Sequence, residues 1–266
     1  MEQPPVLSAV VSPGVVRLTL NRPAQRNALS VELMTALEAA LDATADDPAV
    51  RVVILSANGP AFCAGHDLKE MTAHRKDADK GAAFYAALFA QCARLMLKIV
   101  HHPRPVIAEV HALATAAGCQ LVASCDLAVA AESAGFATPG VNIGLFCSTP
   151  MVALSRNVSR KHAMEMLLTG EAVTALRARE IGLINRVTTA HGLSSDTEAL
   201  AALIALKPAA TLKLGKAAFY RQAEMTLEAA YAFASETMTM NMLNAEANEG
   251  ICAFVEKRPP EWPKGE

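Results

Sequence analysis

The hydrophobic positions of this chain switch repeatedly between two periods. Residues 15–20, VVRLTL, alternate apolar and polar, as a half-buried strand does. The polar stretch NRPAQRNAL follows as a turn. Ser30 then stands where a helix N-cap is expected, with Glu32 in the first turn, where the helix dipole favours a carboxylate. Leu33, Leu37 and Leu41 recur at the spacing of one helical face. Residues 51–56, RVVILS, predict a short buried strand closed by the turn Asn58-Gly59-Pro60. A polar segment over about 70–82 reads as mobile, and a long helix is expected after it, ending before Pro103. PVIAEV at 105–110 and DLAVAA at 126–131 are further buried strands. Strands separated by helices predict parallel pairing and an α/β core.

Beyond about residue 190 the strand pattern stops. ALAALIALKPAATLKLGKAAFY and the segment 226–243 read as helices. Met238, Met240 and Met242 lie in the last of these, a composition typical of core or subunit interface. The chain thus divides into an α/β core, 1–195, and a helical region, 196–266, with no simple repeat or low-complexity linker.

Composition narrows the function classes. The 266 residues are 52% hydrophobic, with 24 basic and 26 acidic side chains scattered along the chain. That gives no clustered basic face for nucleic acid. The six cysteines, Cys63, Cys92, Cys119, Cys125, Cys147 and Cys252, form no C-x-x-C pair and sit mostly in apolar runs, so they read as reduced, buried thiols. The seven histidines show no paired ligand spacing, and no metal is expected. The run Ala112–Ala131 is apolar, but Gln120, Asp126 and a Gly-centred turn make it a buried strand–turn–helix–strand rather than a membrane span. The first residues, MEQPPVLSAVV, carry neither a basic n-region nor a long apolar h-region, which points to a cytoplasmic protein.

Two stretches carry candidate chemistry. In ATAAGCQLVASCD, 114–126, residues 114–118 carry no bulky side chain and then turn into a helix. A backbone so bare lets a ligand approach its N–H groups. Gln120 is the first strong hydrogen-bonding side chain, an amide rather than an acid. In FCAGHDLKE, 62–70, Gly65 permits a sharp bend, and His66 and Asp67 open a helix with free N–H groups.

Taken in order, NRPAQRNALS, FCAGHDLKE, AAGCQLVASCD, FATPGVNIGL, LLTGEAVTALRAREIGLINRV and EGICAFVEKRPPEW resemble the crotonase superfamily, also called the enoyl-CoA hydratase/isomerase family. The resemblance runs from about residue 15 to the end. It is strongest to the enoyl-CoA hydratase domain-containing branch, through GHDLKE, ATAAGCQLVASCD and FATPGVNIGLFCSTP. It implies a ClpP-like spiral of β-β-α turns and a C-terminal helical region that builds trimers, often paired into hexamers. It implies an acyl-CoA thioester as ligand, with coenzyme A entering as part of the substrate and no permanently bound cofactor. The thioester carbonyl would be gripped by two main-chain N–H groups, which map onto His66 and Ala117. Donors fixed in advance where enolate charge develops stabilise it, each by about 10²–10³ in rate. By the same resemblance Arg26, Ala28, Ala64, Asp67 and Leu68 line the coenzyme A channel, and Lys257 reaches it, from its own or a neighbouring subunit.

The sequence departs from the family where its hydratases hold two glutamates. One position is Gln120, the other Gly140. Neither exchanges a proton near neutral pH. Where other members place an aspartate stands Ser148, with Cys147 before it. Cys147 reads as a small buried hydrophobe, a depressed-pKa thiolate being the chemical alternative. Ser148 reads as a helix cap. GHD and the later TPGVNIG also resemble methylmalonyl-CoA decarboxylase, whose chemistry needs an enolate but no initiating base. A lyase of that kind and a non-catalytic thioester binder are therefore the alternatives to a hydratase. Glu109 and His111, alternating along PVIAEVHA, read as satisfied structural polar groups, with an acid–base pair near the pocket as the alternative.

Overall fold

The computed structural model describes residues 3–263. Its elements in chain order are β1 (Val6–Ser12), β2 (Val15–Leu20), a 3-10 turn at Pro23–Gln25, α1 (Val31–Asp46), β3 (Val52–Ala57), α2 (Leu68–Ala73), a 3-10 turn at His74–Lys76 and α3 (Ala82–Val100). Then come β4 (Val106–Val110), β5 (Ala114–Thr115), α4 (Ala117–Ser124), β6 (Leu127–Ala131), β7 (Gly135–Ala137), a 3-10 turn at Pro139–Ile143, α5 (Ser148–Asn157) and α6 (Arg160–Thr169). The chain closes with β8 (Val173–Thr174), α7 (Ala175–Glu180), β9 (Arg186–Thr188), α8 (Leu193–Ala205), α9 (Ala209–Gln222), α10 (Leu227–Met242) and α11 (Ala245–Glu256).

The strands form a six-stranded sheet in the order β1-β2-β3-β4-β6-β9 and a three-stranded sheet β5-β7-β8. The large sheet is parallel from β2 onward, as expected, and β1 joins it antiparallel to β2. The alternation of strand side chains decides what each face meets. Val16, Leu18, Val53, Leu55, Val106 and Ala108 point into the main core, shared with α1, α3 and α4. Val15, Val52, Ile54, Ile107 and Val129 point the other way and are covered by Leu193, Leu200 and Ala201 of α8. The division expected at 195/196 falls inside α8, which is the outer layer of the sheet.

Ser30 caps α1 by accepting a hydrogen bond from the N–H of Leu33, and Leu33, Leu37 and Leu41 are buried. The segment 70–82 is not a loose loop. It continues α2 into a 3-10 turn, pinned by the His74 ring stacked 3.7 Å from Phe84 and by the Tyr85 hydroxyl donating to Met71 O at 2.9 Å. By length and composition α3 is apolar enough to cross a membrane, with mean hydropathy 1.4. Its Leu88, Cys92, Leu95 and Ile99 are instead buried in the core, and Lys98 pairs with Asp42 of α1.

The helices α9–α11 dock onto this body through a half-buried polar anchor, with an exposed pair of Arg156 and Glu224 beside it. Lys216 donates to Asp126 at 2.6 Å and to the carbonyls of Ile99 and Arg104. Tyr220 donates to the other oxygen of Asp126 at 3.0 Å. Much of the rest of these helices is exposed and apolar, including Phe219, Leu227, Tyr231, Met238, Met240, Met242 and Phe254. Grooves of about 370 and 470 Å³ run between them, and neither is lined by His66 or Ala117.

Candidate active site

Three segments, which follow β2, β3 and β4 along the chain, lie side by side. The middle one, 63–68, is clasped on one side by 26–30: Ala64 N donates to Arg26 O at 3.0 Å, Leu29 N to Gly65 O at 2.7 Å and Asp67 N to Leu29 O at 3.3 Å. On its other side Cys63 N donates to Leu113 O, and Thr115 N to Cys63 O at 2.9 Å. The clasp needs two glycines. Gly65 takes φ +85°, and a Cβ there would lie 2.9 Å from Ala116 Cβ and 3.4 Å from Ala117 N. A Cβ on Gly118 would lie 2.2 Å from the Cys63 carbonyl oxygen. The bareness of 114–118 thus serves main chain packed on main chain as well as any ligand.

The approach leaves main-chain donors over, at His66 and in the first turn of α4. Among the described residues neither His66 N nor Ala117 N donates a main-chain hydrogen bond, and Gly118 N and Cys119 N of the same helical turn donate none either. Ala117 is the first residue of α4, whose eight residues are all buried, so its N–H also carries the positive end of the helix dipole. Ala116, which turns the chain into α4, is held at φ 52° and ψ −120°, a conformation costly for any residue with a Cβ, and its N–H is tied to Ala137 O at 2.9 Å. Asp67 caps α2, its carboxylate accepting from Lys69 N and Glu70 N, with Arg22 beside it at 3.8 Å.

Away from Asp67 and the arginines, the side chains near these donors are neutral. The carboxamide of Gln120 is buried, its oxygen 4.0 Å from the Cys92 sulfur on α3. Burial pushes the Cys63, Cys92 and Cys119 thiols up to about 12. Burial raises Cys147 as well, so the thiolate alternative fails: it is a protonated thiol against the main chain of Gly140. A Cβ on Gly140 would lie 2.7 Å from Leu145 O and 2.9 Å from Cys147 Sγ, so the loop 145–147 fills the space beside it. Ser148 is not a cap. It is the first residue of α5, and its hydroxyl turns back to Phe146 O at 3.4 Å. Both nitrogens of the His66 ring are buried without a partner, and the ring packs edge-on to Phe89 of α3 at 5.4 Å. Burial lowers its pKa below the ordinary 6.5, so the imidazole is neutral at pH 7.

The structure therefore brings Arg26, Ala28, Ala64, His66, Asp67, Leu68 and Ala117 onto one wall, where the side chain of Arg26 has no acid partner among the described residues. Lys257 stands apart, exposed at the left-handed C-cap of α11. Glu109 lies on the sheet face opposite α4, bonded to Arg17 at 2.8 Å, because the two-residue period of β4 groups it with Ile107. His111 is bound to Gly59 O at 2.7 Å. Sequence reading missed Asn27. It is fully buried at φ 53°, accepts from Arg22 N, and donates to Asn58 O and Ala61 O, locking the first segment to the second. Its only signal was an Asn in a polar turn, which also fits a solvated loop. Among the described residues no cluster of three or more His, Cys, Asp or Glu side chains is placed to hold a metal ion.

Comparison with known proteins gives the class to which this α/β body belongs. Residues 11–265 match the family model described as Enoyl-CoA hydratase/isomerase, and the chain belongs to that family. The crystal structure of an enoyl-CoA hydratase from Mycobacterium smegmatis is 53% identical, with a TM-score of 0.93 over 98% of this chain and 99% of that one. Within the family the chain resembles Enoyl-CoA hydratase domain-containing protein 3. The Xenopus laevis protein of that name is 48% identical over 94% of this chain and 83% of its own length. The human protein's crystal structure is 44% identical, with a TM-score of 0.92, covering 97% of this chain and 100% of that one. The crotonase fold expected from the sequence is thus the fold of the chain. The relatives from Xenopus laevis, mouse and human are all named mitochondrial, which overturns the expectation of a cytoplasmic protein.

Proposed function

We propose that the protein binds acyl-CoA thioesters and stabilises negative charge on the thioester oxygen through the N–H groups of His66 and Ala117. The observation that carries this reading is the pair itself: two unengaged donors on adjacent, tightly clasped segments, one at the start of a buried helix. Donors already fixed in place need no reorganisation when enolate charge develops. Coenzyme A enters as part of the substrate along Arg26, Ala28, Ala64, Asp67 and Leu68. Lys257 reaches it from another copy in an assembly of trimers or hexamers built through α9–α11. The exposed apolar side chains and grooves of those helices favour such an assembly.

Ordinary hydration is slow in this reading. A positioned acid or base contributes about 10²–10⁴. Gln120 exchanges no proton, and no side chain stands at Gly140. The protonated Cys147 thiol and the Ser148 hydroxyl border the acyl end without replacing a carboxylate.

Incubating the protein with a panel including crotonyl-CoA and methylmalonyl-CoA, with products read by mass spectrometry, tests this. The expected result is binding with water addition to crotonyl-CoA far below that of a two-glutamate hydratase. Turnover matching such an enzyme sinks the reading. Loss of carbon dioxide moves the assignment to a lyase, and failure of every thioester to bind removes the oxyanion pair from function. The mutant Gln120→Glu is expected to gain water addition, because it returns one titratable group beside the paired donors.

A further inference from the structure

The peptide unit joining Gly65 to His66 is planar and trans, so its N–H points opposite to its C=O. Gly65 O accepts from Leu29 N at 2.7 Å, and Asp67 N donates to Leu29 O at 3.3 Å. The main chain of Leu29 thus grips both sides of His66 and turns its N–H away from 26–30. What steadies Leu29 in turn is charged. One guanidinium nitrogen of Arg22 donates to Ser30 Oγ at 2.6 Å and to Ala28 O at 3.4 Å, on either side of Leu29. The same nitrogen lies 3.8 Å from Asp67 Oδ2, while Asp67 Oδ1 caps α2. From the first turn of α2, Glu70 Oε2 reaches back to accept from Val31 N, the first residue of α1, at 3.1 Å. Helix α2 has only six residues and none of them is buried, so neither its own hydrogen bonds nor packing fixes its start. The charged bracket between the starts of α1 and α2 does so, and it closes around the contact of Leu29 with His66.

We propose that Arg22 and Glu70 are positioning residues, whose bracket sets the direction of the His66 N–H and so how strongly the site polarises a thioester carbonyl. They act through Leu29 and Asp67, not on the substrate. This inference rests on the thioester reading given above and adds to it the side chains that keep one of its donors aimed. Removing the Arg22 guanidinium releases Ala28 O, Ser30 Oγ and Asp67 together, and Leu29 is then free to rock. The peptide 65–66 rocks with it. Hydrogen bonds weaken steeply as the donor angle falls, so a modest rotation costs the grip on a carbonyl before it costs the fold. Removing Glu70 cuts one tie of the bracket and acts in the same direction by less.

Calorimetric titration of the full-length protein with butyryl-CoA and with butyl-CoA, the thioether that lacks the carbonyl oxygen, tests it. The wild-type protein is expected to hold the thioester about tenfold tighter, the gain from hydrogen bonds to that one oxygen. In Arg22→Gln the ratio is expected to fall to about threefold or less, as the share of one donor is lost. Glu70→Ala is expected to lower it by less, and Arg22→Lys, which keeps the charge and a donor, to recover part of it. The ratio is taken within each protein, so a loosened fold or a weaker hold on coenzyme A, which affects both ligands alike, does not imitate the effect. The infrared stretch of butyryl-CoA labelled with carbon-13 at the carbonyl gives a second readout. Its fall to lower wavenumber on binding is expected to be smaller in Arg22→Gln than in the wild type. If Arg22→Gln does not fold, Glu70→Ala, at the exposed end of the bracket, decides alone. A wild-type ratio and a wild-type stretch in the folded variants overturn the inference and leave the thioester reading standing, as do equal losses for the two ligands. A ratio of about one in the wild-type protein itself overturns the thioester reading and the inference with it.

Discussion

Replacing Gly118 with Ala tests the clasp on which the site depends. The added Cβ would stand 2.2 Å from the carbonyl oxygen of Cys63, where real Cβ contacts stay beyond 3.0 Å. The oxygen cannot swing away freely, since it accepts the hydrogen bond from Thr115 N at 2.9 Å. The start of α4 must therefore withdraw from 63–65 by close to an ångström. Overpacking of this kind costs about 1–3 kcal/mol, and losing the Thr115 bond adds about 1 kcal/mol more. A total of about 2–4 kcal/mol is expected in urea unfolding at fixed protein concentration. The same withdrawal carries Ala117 N away from His66 N. A misplacement of about 1 Å costs on the order of 10²-fold in chemistry that depends on orientation, so acyl-CoA turnover should fall more steeply than stability. Gly215→Ala is the control. Nothing lies within 4 Å of its added Cβ, and in the middle of α9 the change should stabilise the helix by about 0.5–1 kcal/mol. A Gly118→Ala protein with the wild-type urea midpoint and wild-type thioester affinity would refute the argument from close approach.

Three further outcomes follow from the same geometry. Ala116→Gly removes a Cβ from a residue held at φ 52°, and thermal unfolding should shift upward by the equivalent of about 0.5–1 kcal/mol, less if the freed chain gains much entropy. Lys216→Met leaves the carboxylate of Asp126 without its cation in a site where the two side chains are only 8% and 16% exposed, so about 3–5 kcal/mol of stability is expected to go. The double change with Asp126→Asn should recover part of that loss in the same unfolding assay. Stability should also fall on acidification. His102 is neutral in the fold, accepting from Arg104 N and donating to Leu41 O, and burial lowers its pKa below the ordinary 6.5. The unfolded chain then binds more protons than the folded one below about pH 6.5, so the stability is complete above that pH and is lost as pH falls toward the folded value. Urea midpoints at pH 7.5 and 5.5 measure the slope, and a His102→Gln protein with an unchanged slope would clear His102 of the effect.

The parts of the fold that could be read from the sequence are those whose neighbours are close in the chain. The cap at Ser30, the face of Leu33, Leu37 and Leu41, and the turn at Gly65 each declare themselves within a few residues. The bare run 114–118 did so as well, although only the structure shows that Cys63, more than fifty positions away, also requires it. What stayed hidden depends on distant partners. Strand β1 is too exposed to show a clear alternation and exists because β2 offers it an edge. The polar segment before α3 looked loose because the stacking of His74 on Phe84 cannot be seen from composition. Glu109 looked close to the site along the chain, but the two-residue period of β4 turns it to the far side of the sheet. Asn27 looked like one more polar loop residue until its three hydrogen bonds were in view.

The stretch that begins with the bare turn ends at Asp126, and that carboxylate is what Lys216 and Tyr220 of α9 hold. One short, wholly buried helix therefore has the free Ala117 donor at its head and the root of the C-terminal arm at its foot. The arm is not a detachable module for evolution or for the protein engineer. A gene cut after α8 would encode an anion stranded at the base of β6, a few residues from the donors. Lineages that reshape the arm must keep its cation in place, or first neutralise Asp126.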